Sequence, residues 1–344
     1  MIYVAENKTR EETKQQFTLE GAIVGLHSEK AYKEGEFPSG ALWKQIRFGI
    51  KTKEDNIVYV KLRGGEYDEV GAYSQKDKAY KKFKWEERDN LPESYHVIDT
   101  DLYLDTDENG KLIREQVVAF DAIEKILLNL SDGDFVRVRG EKYVNSFEGR
   151  DGKTVTLTDL NLKSLSRLDR TIDFKTDDFE EVNEFIDQIV VKEVFADAKT
   201  RKVTVKGYYI SRKEDFAEVE YVVDTNLGDK FKKLANGIGT LKFGALLTVK
   251  GRLVNRPIVH DVDSGELGMD ELASLFGEDC VEEVKTVKGY DEYNEIHAVT
   301  GLICDKYTED DFKEEEEELD SNFVDEDTED FFEDTDDEFD IFNQ

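Results

Sequence analysis

Cysteine is nearly absent: Cys280 and Cys304 are the only two in 344 residues. Two thiols exclude a disulfide scaffold and any all-cysteine zinc or iron–sulfur site. Proline is scarce as well, with three residues, which excludes a proline-rich linker protein. No run comes near the ~18 apolar residues of a membrane span. The start, Met1-Ile2-Tyr3-Val4-Ala5-Glu6, lacks the basic end and apolar stretch of a secretory leader. No Gly-x-x-x-x-Gly-Lys-Ser/Thr phosphate loop occurs, which argues against an ATP-driven motor. The four histidines, His27, His96, His260 and His297, sit in no catalytic or zinc pattern. The expectation is a reduced, cytoplasmic, non-enzymatic protein that needs neither metal nor cofactor and does not enter a membrane.

Charge is abundant and uneven. The net formal charge is −33. From Glu309 to Gln344 there are 20 acidic residues against one lysine, so more than half of the excess sits in about a tenth of the chain. Glu314 to Glu318 is an unbroken acidic run, which no strand would hold, so the tail is expected to be disordered. It nevertheless carries six phenylalanines, more than an inert solubilising tail requires.

The body alternates. Ile46, Phe48 and Ile50 share one face of a strand, with Arg47 and Lys51 on the other. Glu54-Asp55-Asn56 signals a turn. Val58, Val60 and Leu62 then oppose Tyr59, Lys61 and Arg63. Further strands are expected from Thr18 to Leu26 and from Tyr95 to Asp105. A turn at Asp107-Glu108-Asn109-Gly110, a helix from Glu115 to Leu130 and strands at Phe135–Tyr143 and Thr154–Leu162 follow. The second half repeats the order, with a helix from Asp229 to Ala235. Gly133-Asp134-Phe135-Val136-Arg137-Val138-Arg139-Gly140 matches Gly244-Ala245-Leu246-Leu247-Thr248-Val249-Lys250-Gly251, each after a helix. Three strands, a helix and two strands is the order of the OB-fold, a five-stranded Greek-key barrel. The expected fold is mainly β: two OB-fold-like barrels with one helix each. Residues 1–16 form an arm, 17–170 and 171–307 the two domains, and 308–344 the acidic tail.

Between Ser74 and Trp85 five lysines face one aspartate, interleaved with Tyr80, Phe83 and Trp85. Single-stranded nucleic acid needs both types, since cations neutralise phosphates and flat rings stack on unpaired bases. The alternative is a hairpin whose rings pack on the barrel. The candidate DNA-binding residues are Arg47, Lys51, Tyr59, Lys61, Arg63, Tyr80, Lys81, Lys82, Phe83, Lys84, Trp85, Arg137 and Arg139 in the first module. Lys206, Tyr208, Lys250 and Arg252 are their counterparts in the second. From Ala198 to Arg256 there are 13 bases and 6 acids, a positive stretch in an acidic chain. Asp105-Thr106-Asp107-Glu108-Asn109-Gly110 resembles the start of a calcium loop, but Gln116 stands where a chelating Glu belongs, and a hairpin turn explains it better.

Two barrel modules, a basic-aromatic face and an acidic tail together resemble the single-stranded-DNA-binding proteins of bacteria and their tailed phages. The end, Asp336-Asp337-Glu338-Phe339-Asp340-Ile341-Phe342, resembles the acids followed by Ile-Pro-Phe that close the bacterial members. Here the proline is missing and Asn343-Gln344 follow. The resemblance implies a protein that binds and protects single-stranded DNA in replication, recombination and repair. It also implies a tail in which Phe339, Asp340, Ile341 and Phe342 dock replication and repair partners. An acidic nucleic-acid mimic and a metal-dependent nuclease using the Asp99–Asp107 cluster are the other two readings.

Overall fold

The computed structural model describes residues 10–148, 154–176, 179–260 and 286–312. The first half contains β1 (Gln15–Val24), β2 (Tyr32–Glu36), β3 (Leu42–Lys53) and β4 (Asn56–Gly65). An insertion follows with β5 (Glu69–Ser74), β6 (Ala79–Lys84), β7 (Tyr95–Val97), β8 (Thr100–Tyr103) and β9 (Glu115–Val117). Then come α1 (Ala119–Asn129), β10 (Phe135–Glu148) and β11 (Thr154–Arg167). The second half contains β12 (Asn183–Asp197), β13 (Lys202–Ile210), β14 (Phe216–Asp224), α2 (Asp229–Ile238), β15 (Leu246–His260) and β16 (Thr286–Ile303).

Strand pairing closes a barrel in each half. In the first, β1 pairs β3, β3 pairs β4, β4 pairs β11 in parallel, β11 pairs β10, and β10 returns to β1. In the second, β12, β13, β14, β16 and β15 repeat that circuit, with β14–β16 as the parallel step. This is the OB-fold circuit twice over. The inward residues are those of the period-2 pattern: Ile46, Phe48, Ile50, Val58, Val60 and Leu62 are all buried. Helix α1 adds Ala119, Ala122, Ile123 and Ile126 to the same core.

The helix begins four residues later than its apolar spacing predicts. Val118 is extended, Glu115–Val117 pairs β8 instead, and Asp99 accepts the Ala119 amide at 2.6 Å, so a side chain remote in sequence sets the start. The polar N-terminal stretch also differs from a free arm from its tenth residue on. Thr13 is buried and exchanges hydrogen bonds with the Ile210 backbone, and Gln15 already belongs to β1. Asp107–Gly110 forms the expected turn. Gly110 takes φ +76°, and the Asp107 carboxylate accepts the Asn109 and Lys111 amides.

The repeated glycines occupy equivalent places. Gly133 and Gly244 take φ of +90° and +84°, and their amides donate to Ile23 and Val191, each at 2.9 Å. At Gly140 and Gly251 a Cβ would overlap a carbonyl and the rings of Phe17 and Phe185, respectively. Strand register shifts at both points, where each strand turns a barrel corner. The two barrels join edge to edge: β1 pairs β12 antiparallel, with Phe17 opposite Phe185.

Candidate nucleic-acid interface

Pleating sends alternate residues of β3 and β4 to solvent, and antiparallel register sets them side by side. Gln45 lies opposite Arg63, Arg47 opposite Lys61, and Gly49 opposite Tyr59. Exposed Lys33 joins them from β2, opposite Gln45. Glycines open room for rings on this face. The Trp43 ring lies 2.7–2.9 Å from where a Gly35 Cβ would stand, and Tyr59 lies 3.5 Å from the same position at Gly49. The cations sit against rings. Arg63 is 4.5 Å from the Trp43 centroid and 5.8 Å from Phe37. Arg47 is 5.4 Å from Tyr59, and Lys51 is 5.7 Å from Phe174. Lys61 bonds Asp159 at 2.8 Å. Arg63 is half-buried, and burial pulls its guanidinium down from the ordinary value. Trp43, Phe37 and Lys33 escaped the sequence reading. One further step of the same alternation, from Gln45 back to Trp43, would have found the indole.

The inserted sheet divides the lysine-aromatic run between two faces. Val70, Ala72 and Ser74 are buried, and their cross-strand partners are Phe83, Lys81 and Ala79. Phe83 packs edge-on to Tyr95 at 5.3 Å. Trp85 packs edge-on to Phe120 of α1 at 5.9 Å, with Arg88 4.4 Å over its ring. Arg88 in turn forks onto Asp121 at 2.8 and 3.2 Å. Trp85 therefore ties the insertion to the barrel, and Phe83 packs with it on the small core of Val70, Val97, Val118 and Phe120, the packing alternative of the sequence reading. The outer face holds Tyr73 opposite Tyr80, together with Lys82 and Lys84. Tyr80 is 58% exposed, and its ring covers Gly71. Lys82 bonds Glu69 at 3.1 Å, and Lys81 sits 5.0 Å from the Tyr95 ring. Phe83→Ala should cost about 2–3 kcal/mol of stability, below the full cost of truncating a core Phe. Affinity for poly-dT should change little. A denaturation curve and a binding titration on the same preparation check both halves.

On the second barrel the expected cations meet acids. Lys206 lies between Glu193 at 3.6 Å and Glu220 at 3.4 Å, and Lys192 bonds Glu218. Lys250 bonds Glu184 at 2.5 Å, and Arg252 bonds Glu295 at 2.7 Å. Burial alone would raise the Glu295 carboxyl, but His297 and Arg252 hold it below the ordinary glutamate value. Tyr208 is buried rather than presented. Phe312, 8% exposed in the short 3-10 turn Glu309–Phe312, stacks on it at 4.4 Å and 13°. In the first barrel Arg137 and Arg170 both bind the buried Glu20 carboxylate, while Arg139 is exposed on β10. The sequence therefore reads two basic faces, and on the second each expected cation has an acid within 3.4 Å, as Lys61 has on the first. Phe339, Asp340, Ile341 and Phe342 lie outside the described residues.

The acidic cluster suggested for a nuclease is dispersed. Asp99 caps α1, and burial raises its carboxyl. Asp101 is held by Arg114 at 2.8 and 3.0 Å, and Asp107 builds its turn. Among the described residues no three His, Cys, Asp or Glu side chains gather where they could hold a metal. No helix among them is long and apolar enough to cross a membrane.

The family model described as YorF matches residues 14–330. No curated protein matches the chain. Two solved structures of the single-stranded DNA binding protein from Thermus aquaticus, a deletion mutant and the wild type, are similar at 14% identity and a TM-score of 0.35. They cover 71% of this chain and 88% and 87% of their own.

Proposed function

The chain belongs to the YorF family, and we propose that it binds single-stranded DNA on the outer face of its first barrel. The observation that carries the reading is the ladder on β2, β3 and β4. There the Trp43 and Tyr59 rings lie over glycines among Lys33, Arg47, Lys51, Lys61 and Arg63. A strand laid along it meets cations at the spacing of side-chain rows and rings against which its bases can stack. A duplex keeps its bases stacked inside and gains only the charge contacts. The second barrel is assigned a supporting role, because its cations are already neutralised and its tyrosine is covered.

The wider role is protection of single strands during replication, recombination and repair. Supporting it are the double-barrel architecture and the acidic tail, whose phenylalanines suit both partner docking and competition with DNA. Phe312, first of those six, already occupies an aromatic platform.

Gel-shift titration with poly-dT and with duplex DNA tests the binding. Poly-dT should bind tighter, with log K falling against log salt at a slope of about −0.7 per neutralised phosphate, near −3 for four to five contacts. Equal affinity for duplex, or a flat salt response, overturns the reading.

A further inference from the structure

We infer that the cleft between the first barrel and the inserted sheet receives one unstacked base from the bound strand and favours a base that carries an exocyclic amine. The inference rests on the single-strand reading above. The cleft encloses about 260 Å³, below the range of about 300–1,000 Å³ typical of drug-sized ligands, so it suits one ring system. Its floor is apolar: Val70, Val97, Val118 and Phe120 are all buried. Its wall is aromatic, with Tyr67 and Trp85 edge to face at 6.5 Å. Tyr67 stands at the mouth, 64% exposed. Flat faces and an apolar floor accept the planar body of a heterocycle.

Recognition would come from the rim, where Arg63 and Asp99 both line the cleft. The Ala119 amide and the Thr100 hydroxyl use at most two of the roughly four lone-pair sites of the Asp99 carboxylate, and Lys163 lies 4.0 Å from the oxygen that does not bind the amide. Acceptor capacity therefore remains. A carboxylate accepts from the N4 amine of cytosine, as in groove readout. Thymine offers a carbonyl oxygen at the corresponding place, and two acceptors would then face each other. Arg63 supplies donors for the ring nitrogen and carbonyl beside the amine. It also connects the two sites, since it stacks on Trp43 of the ladder and lines the cleft. Arg63 therefore marks where a strand leaving the ladder would meet the cleft.

The test compares a 15-mer of dT with the same 15-mer carrying dC at alternate positions. Both are pyrimidines, so stacking differs little. The full chain should bind the dC-containing strand about fivefold tighter or more, the lower end of discrimination for a specific base contact. Asp99→Asn keeps an oxygen for the Ala119 amide but turns a donor toward the base, so the preference should vanish or reverse. Tyr67→Ala, at an exposed position that does not endanger folding, should also erase the preference while dT binding persists. Equal affinity of the wild type for the two strands overturns the inference and leaves the proposed function standing. Failure to bind either strand overturns the proposed function itself.

Discussion

Replacing Trp43 and Tyr59 together with alanine should weaken poly-dT binding by about 2–5 kcal/mol, while the circular dichroism spectrum stays that of the wild type. Each ring stacked on a base is worth about 1–3 kcal/mol by alanine substitution. Both rings lie on the outer face, and neither belongs to the buried cores. Their cations remain after the substitution, so the salt slope should persist while the intercept falls. The competing role is purely structural: a ring laid over a glycine covers bare backbone and stabilises a cross-strand pair by a few tenths to about 1 kcal/mol. A double variant that binds poly-dT within threefold of wild type but melts early would assign the rings to that role.

Lys142→Met should cost about 3–5 kcal/mol, because it strands a carboxylate in the interior. Lys142 of β10 and Asp187 of β12 meet at 2.6 Å across the junction of the barrels, and both are at most 1% exposed. The Tyr221 hydroxyl donates to the same carboxylate at 2.8 Å, and Lys142 also donates to Asn294 at 2.9 Å. The lysine sits 4.1 Å from the Phe185 ring. Burial pushes the Asp187 carboxyl up and the Lys142 ammonium down, so each charge depends on the other for its place in the core. Adding Asp187→Asn to Lys142→Met should recover much of the loss, since an amide needs no counter-charge and can still accept from Tyr221. Urea denaturation of the wild type and both variants decides the matter. A single variant as stable as the wild type would show that water or relaxation already serves the carboxylate.

The contrast between Tyr59 and Tyr208 shows how far the sequence reaches. Both are tyrosines beside basic residues, Tyr59 on the third strand of its barrel and Tyr208 on the second strand of the other, and the alternation places both on an outer face. In the folded chain Tyr208 is covered, because Phe312 lies stacked on it from about a hundred residues away, whereas Tyr59 stays on the outer face beside Arg47. The run from Tyr80 to Trp85 shows the same limit at short range. Its composition is that of a binding segment, yet the pleat turns Phe83 inward and Tyr80 outward.

What the sequence determined by itself is whatever depends on contiguous residues. Period-2 alternation marked β3 and β4, the strand–helix–strand order indicated two barrels, and the repeated glycines marked equivalent corners in each. Tertiary structure decided which of the exposed positions are available. Glu193, Glu184 and Glu295 neutralise Lys206, Lys250 and Arg252 from strands outside the basic stretch, so a count taken along the chain saw the cations without their partners. Asp99 set the start of α1, and Lys142 found Asp187 across the barrel junction, for the same reason. Periodicity is a property of neighbours in the chain. Charge compensation and ring burial are properties of neighbours in space, and folding brings these together across long stretches of sequence.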